Sequence, residues 1–111
     1  MRRRKMSINV KVRDITIMEG NATAKGIEAS WESGQWVAII CNKGMVGCGA
    51  FDAKLMERHE QVIATIHGSI EHPLITCEDL MAARIMEVTK LARAFGVKEG
   101  ITGKEAVELL S

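Results

Sequence analysis

A chain of 111 residues, 47% hydrophobic and 26% charged, is one domain large enough to withdraw roughly two-thirds of its unfolded surface from water. That balance excludes a disordered polypeptide. No apolar run approaches the roughly twenty residues needed to cross a bilayer, and "MRRRK" leads into "MSINVKVRD" rather than an apolar signal core, so a cytoplasmic protein without membrane contact is expected.

The formal charge of +1 conceals an asymmetry. Arg2, Arg3, Arg4 and Lys5 carry four of the fifteen cations, which leaves the rest of the chain mildly acidic. Residues 1–6 are expected to form a basic, flexible tail, and residues 7–111 a single domain. Nucleic-acid binding is not expected, because a folded basic face with interleaved aromatic residues is missing. Three cysteines at irregular spacing argue for reduced thiols rather than a disulfide framework.

In "SINVKVRDITIM" the residues Ile8, Val10 and Val12 share one face and Asn9, Lys11 and Arg13 the other, the period-two pattern of a half-buried strand. "EGN" reads as a turn and "ATAKGIEASW" as an antiparallel return strand. "QWVAIICNKGMVGCGAF" then reads as a central hairpin, with Gly44 supplying the positive φ of its turn. Both faces of that hairpin are apolar, Val37, Ile39 and Cys41 on one and Trp36, Ala38 and Ile40 on the other, so both should be covered.

Asp52 is a suitable N-cap for a short helix over "AKLMERHE", and "QVIATIHGS" alternates as a further strand before Pro73. Met81, Ile85, Val88, Ala92 and Phe95 then recur at helical spacing and predict one principal helix of about eighteen residues from Thr76 to Phe95. Thr76 with Asp79 forms its capping box and Gly96 its stop. Thr102 with Glu105 repeats the capping box before "AVELL", a last short helix. The sum is an α+β fold, a two-layer α/β sandwich with a largely antiparallel sheet of about five strands, one long and two short helices lying on one face. Helices on one face leave the hairpin's second face to a partner, and a second copy of the chain is expected there.

Cys48, between Gly47 and Gly49, is the local oddity. The bare glycines let a ligand or a second backbone approach, and backbone N–H groups of Gly49 and Ala50 could favour a thiolate or bind an anion. The opposing reading is that Cys48 fills space in the core. As a nucleophile it would need His59 or His67 brought near. Cys41 and Cys48 share a face if the turn has two residues, and even then stand diagonally, roughly 7–8 Å apart and too far for an unstrained disulfide. His59, His67, His72 and Cys77 match no zinc spacing, so no metal site is expected. "GMVGCG" lacks the ending of a phosphate loop.

The run "NKGMVGCGAFD", followed by a short helix, a strand, a long helix and "FGVKEGITGKEAVELL", resembles the YunC-like proteins, small bacterial and archaeal domains of unknown function. The resemblance spans Trp36 to Leu110 and is most specific at Asn42, Gly44, Cys48, Gly49, Ala50 and Asp52; Cys41 and the basic tail stand outside it. It implies a compact two-layer α/β sandwich and brings no substrate, cofactor or catalytic residue. The expected function is a self-associating interaction module or a binder of a small ligand at Asn42, Gly44, Cys48, Gly49, Ala50 and Asp52, without a cofactor. The alternative is an enzyme with Cys48 as thiolate nucleophile and the Gly49 and Ala50 N–H groups as oxyanion donors.

Overall fold

The computed structural model describes residues 8–17 and 23–111. The basic tail and the expected Glu19–Asn21 turn lie outside them. Strands β1 (Asn9–Thr16), β2 (Thr23–Trp31), β3 (Gly34–Ile40) and β4 (Met45–Cys48) follow one another as antiparallel neighbours. The short helix α1 (Ala53–Arg58) then carries the chain across to β5 (Ile63–Ile66), which runs parallel to β4. Helix α2 (Cys77–Ala82) precedes a two-residue strand β6 (Glu87–Val88), after which come α3 (Lys90–Arg93) and α4 (Gly103–Leu110). The six strands lie in sequence order in one mixed sheet, antiparallel except for the β4–β5 pair.

The expected Thr76–Phe95 helix is not one helix. Its start is as read, since the Thr76 hydroxyl accepts from the Asp79 N–H and the Asp79 carboxylate accepts from the Thr76 N–H. It stops at Ala83, whose φ of −85° and ψ of 172° are extended. Strand β5, buried along its whole length, needs its outer row of backbone groups satisfied. Met86 and Thr89 supply N–H groups to the carbonyls of Thr65 and Ile63 at 2.9 and 3.0 Å. The extended backbone that this requires is incompatible with a continuous helix. Thr89 then caps α3, and its buried hydroxyl accepts from the Ile63 N–H at 3.1 Å while donating to the Gln61 carbonyl at 2.8 Å. Residues ahead of β6 pair with the start of α4 and its approach: Ile85 N–H with the Ile101 carbonyl, and Gly103 N–H with the Ala83 carbonyl.

The helices also do not share one face. The main core lies between the sheet and the pair α2 and α4, and joins Val37, Ile39, Val46, Cys48 and Ile66 to Leu80, Val107 and Leu110. We call this the inner face. On the opposite, outer face the chain leaving β4 folds Phe51 over Gly47 and edge-on to Trp36, with ring centroids 5.6 Å apart and an interplanar angle of 83°. Helix α1 continues along that face, with Ala53 buried and its contacts on β5. A parallel strand pair requires such a crossover, and here it covers the outer surface of β4 and β5 and meets β3 at Trp36.

Register decides what remains uncovered. Val12 pairs with Ile27 and Ile27 with Ala38; Val10 pairs with Ala29 and Ala29 with Trp36. Directly paired residues project to the same side of a sheet, so these side chains all stand on the outer face. The β1 expectation is thereby corrected: the apolar set Ile8, Val10 and Val12 points away from the core, and Arg13 and Ile15 point toward the helices. Ile15 is 7% exposed, whereas Val10 and Val12 are 62% and 65% exposed. Arg13 donates to Glu28 at 2.8 Å and to Glu78 of α2 at 2.7 Å. Glu28 in turn accepts from the Cys77 N–H at 2.7 Å, so one carboxylate on β2 holds both the edge strand and the first turn of α2. That donor and the Arg13 guanidinium hold the Glu28 carboxyl below its usual range.

Candidate functional site

The turn between β3 and β4 brings Cys41 and Gly44 together, with the Cys41 N–H donating to the Gly44 carbonyl at 2.7 Å. Gly44 does not adopt a positive φ. A Cβ there would meet the Val62 carbonyl oxygen at 2.5 Å, so the glycine is needed for the close passage of the chain entering β5. This register sets Ala38 opposite Gly47 and Ile39 opposite Val46. Cys48 therefore stands next to Val37, and Cys41 lies four residues further along the same face. The two thiols share the inner face but are separated by about 13 Å of strand. All three cysteines are free.

Cys48 is 7% exposed and lies in the main core, its sulfur accepting the Val37 N–H at 3.5 Å. The bare side left by its glycine neighbours is occupied by the chain itself. A Cβ at Gly47 would meet the Phe51 ring at 2.6 Å, and one at Gly49 the His67 ring at 3.3 Å. Cys48 pairs with Ile66 across the parallel ladder, so the next residue, His67, projects to the other side of the sheet. There His67 Nε2 and the Thr65 hydroxyl both meet Glu87 Oε1, each at 3.2 Å. His59 ends α1 as its exposed C-cap. His72 sits in the loop leading to α2, its N–H donating to Ser69 Oγ.

The other expected ligand residues divide between the two ends of β4. Asn42 and Gly44 are at its beginning, whereas Gly49, Ala50 and Asp52 are beyond its end. Asp52 caps α1, accepting from the N–H groups of Lys54 and Leu55 at 3.0 and 3.2 Å. An open cleft near that second end is lined by His67, His72, Leu74 and Asp79. The Asp79 carboxylate in it already accepts from the Ile75 and Thr76 N–H groups, which hold its pKa down. No group of three or more His, Cys, Asp or Glu residues among the described residues is arranged to hold a metal ion.

Burial pushes the Cys41 and Cys77 thiols up to about 11, with Glu28 adding to the effect at Cys77. A raised thiol pKa means that the folded state keeps a proton which the unfolded chain gives up. Stability from these two groups is full below the ordinary value of 9.0 and is lost as pH rises toward about 11. The chain has no Tyr to titrate in the same window. Denaturant midpoints measured across that range should fall, and Cys41→Ala with Cys77→Ala should flatten the fall; an unchanged slope in the double variant would refute the assignment.

The sequence pattern pointed to an uncovered second face at Trp36, Ala38 and Ile40, but it did not place β1 and β2 on that surface, which the register does. On the outer face Ile8, Val10, Val12, Trp31 and Ile40 are 77%, 62%, 65%, 45% and 46% exposed, around the better covered Ile27, Ala29 and Trp36. An ion pair between Asp14 and Lys25 lies beside Ile40 at one end of this patch. The available signal was the doubly apolar character of β3 taken together with a β1 whose apolar and charged residues alternate without fixing which set faces the helices.

Fold and site together define a small mixed α/β domain with one apolar sheet surface left open. The profile of a domain of unknown function (DUF1805) matches residues 47–110, and the chain belongs to this family. The match runs from the second half of β4 to the end of α4 and leaves β1 to β3 outside it. A crystal structure of a protein of unknown function from Thermoplasma acidophilum is similar over 100% of both chains, with a TM-score of 0.80 and 15% sequence identity. That likeness is one of fold. No curated protein matches the chain. Among the described residues no helix is long and apolar enough to cross a membrane.

Proposed function

We propose that the protein is an interaction module that self-associates through the outer face of β1, β2 and β3. The observation that carries this reading is the contiguous exposure of Ile8, Val10, Val12, Trp31 and Ile40 on one side of the sheet. A cluster of that kind is a protein-contact surface or an aggregation hazard, and a chain that must remain in solution covers it. A second copy offers the same apolar character in the same outline. Small-ligand binding remains a proposal for the corner formed by Gly49, Ala50 and Asp52, near His67, since Asn42 and Gly44 stand at the far end of β4. The catalytic alternative for Cys48 has less support. Its sulfur lies on the inner face, and His67 reaches Glu87 on the outer one.

Trp31→Lys combined with Ile40→Lys tests the reading. Both side chains are partly solvated, so the double variant should keep its far-ultraviolet circular dichroism. Sedimentation at tens of micromolar should show wild type as an oligomer and the variant shifted to monomer. A wild-type protein that sediments as a monomer would overturn the proposal.

A further inference from the structure

The two edges of the sheet are unlike. β6 is two residues long, whereas β1 presents eight residues with no hydrogen-bonded neighbour beyond it among the described strands. Natural sheets protect long edges with proline, a bulge or inward-pointing charge, or else use them for pairing. β1 contains no proline, and its eight consecutive pairs with β2 run without a bulge. Two cations stand on its inward row: Arg13, whose charge is met by Glu28 and Glu78, and Lys11, which lies across from Glu28 in the register. The same strand carries Val10 and Val12, the most exposed apolar side chains of any described strand. An open ladder and an uncovered apolar row thus coincide on one element.

Building on the self-association proposed above, we infer that β1 pairs antiparallel with β1 of a second copy, with Val10 opposite Val10. A two-fold axis normal to the sheet keeps both apolar faces on one side, and each such register places one residue opposite itself. Centring on Lys11 sets Lys11 against Lys11 and Ile8 against Asp14. Centring on Val12 sets Lys11 against Arg13 and Val10 against Asp14. Centring on Arg13 opposes two guanidinium groups. Like charges directly across a sheet are destabilising, and each of these registers also wastes an apolar side chain on a carboxylate or a cation. Centring on Val10 sets Val10 against Val10, Val12 against Ile8 and Lys11 against Asn9, so that apolar meets apolar and no like charges meet. The result is a twelve-stranded sheet whose outer apolar surfaces lie side by side, available to the face contact at Trp31 and Ile40.

The test is oxidative cross-linking of the full chain bearing Val10→Cys, whose partner α-carbon in this register would stand within the 4.4–6.8 Å, approximately, that a disulfide spans. The native thiols are buried and do not compete. Val12→Cys is the control, because Val12 of the two copies would lie about 13 Å apart. We expect Val10→Cys to form covalent dimer at least about tenfold faster than Val12→Cys, and a mixture of Ile8→Cys with Val12→Cys to form mixed dimer faster than either alone. A wild-type oligomer in which Val10→Cys shows no such preference would overturn the register and leave the face contact standing. A wild-type monomer with no cross-linking in any variant would overturn both.

Discussion

Gly103→Ala should destabilise the protein by about 3 kcal/mol, through overpacking at a site that cannot relax cheaply. Gly103 is the first residue of α4, behind the Thr102 cap, and is buried. Its N–H donates to the Ala83 carbonyl at 2.8 Å. A methyl group there would strike the carbonyl oxygen of Leu80, with the Leu80 carbonyl carbon at 3.0 Å and Ile66 Cδ1 at 3.1 Å. The first obstacle is backbone of α2, and Leu80 is itself fully buried. Relief therefore means separating α2 from α4, the contact on which the main core closes. Helix propensity acts the other way and favours alanine by up to about 1 kcal/mol, so the sign of the change tells which effect governs. Chemical denaturation should show the loss, and a fall in Tm on the order of 10 °C should accompany it. A variant as stable as wild type would mean that the α2–α4 contact gives way more easily than its geometry implies.

What the sequence disclosed and what it concealed divide along a physical line. Local signals were read correctly where one residue's chemistry fixes one backbone state. The capping boxes at Thr76 and Thr102 and the Asp52 cap are all formed. The hairpins of β1 with β2 and of β3 with β4 follow from alternation and short connections. Periodicity between Met81 and Phe95 misled, because Ile85 and Ala92 are buried in both a continuous helix and the observed helix, strand, helix path. The need to complete the edge of β5 is a tertiary demand, and the β-branched pair Val88 and Thr89 was its only local sign.

The same distinction governs the candidate site. Alternation in β1 showed which residues share a side and could not show which side the helices take. The inner side went to the row containing Ile15 because Arg13 bridges Glu28 and Glu78 there, a contact spanning distant parts of the chain. The glycines flanking Cys48 correctly marked a close approach. Its agent, Phe51, is only a few residues away, yet nothing in the sequence says that its ring folds back over Gly47. The doubly apolar hairpin pointed to a second covering layer. Half of that layer proved to be Phe51 and α1, and the uncovered half shifted toward β1 and β2.

Gly26 and Cys77 should be energetically coupled, and the coupling measures how closely α2 sits on the sheet. Gly26 lies midway along β2, between Arg13 on one neighbour and Ile39 on the other, and its missing side chain would point inward. A Cβ there would collide with Cys77 Sγ and press Ile15 Cδ1 and Cγ1 at 3.3 Å. Gly26→Ala alone should cost about 2 kcal/mol, because the sulfur is fully buried and α2 is held down by the bond from the Cys77 N–H to Glu28. Cys77→Ala alone should cost about 1 kcal/mol, as a small buried group is lost while the backbone tether to Glu28 is kept. In the double variant the new methyl occupies part of the space vacated by the sulfur. Its loss should fall short of the sum of the singles by at least about 1 kcal/mol, which denaturation of all four proteins would measure. Additive losses would place the obstruction at Ile15 instead and would mean that α2 can lift from β2 without cost to the rest of the core.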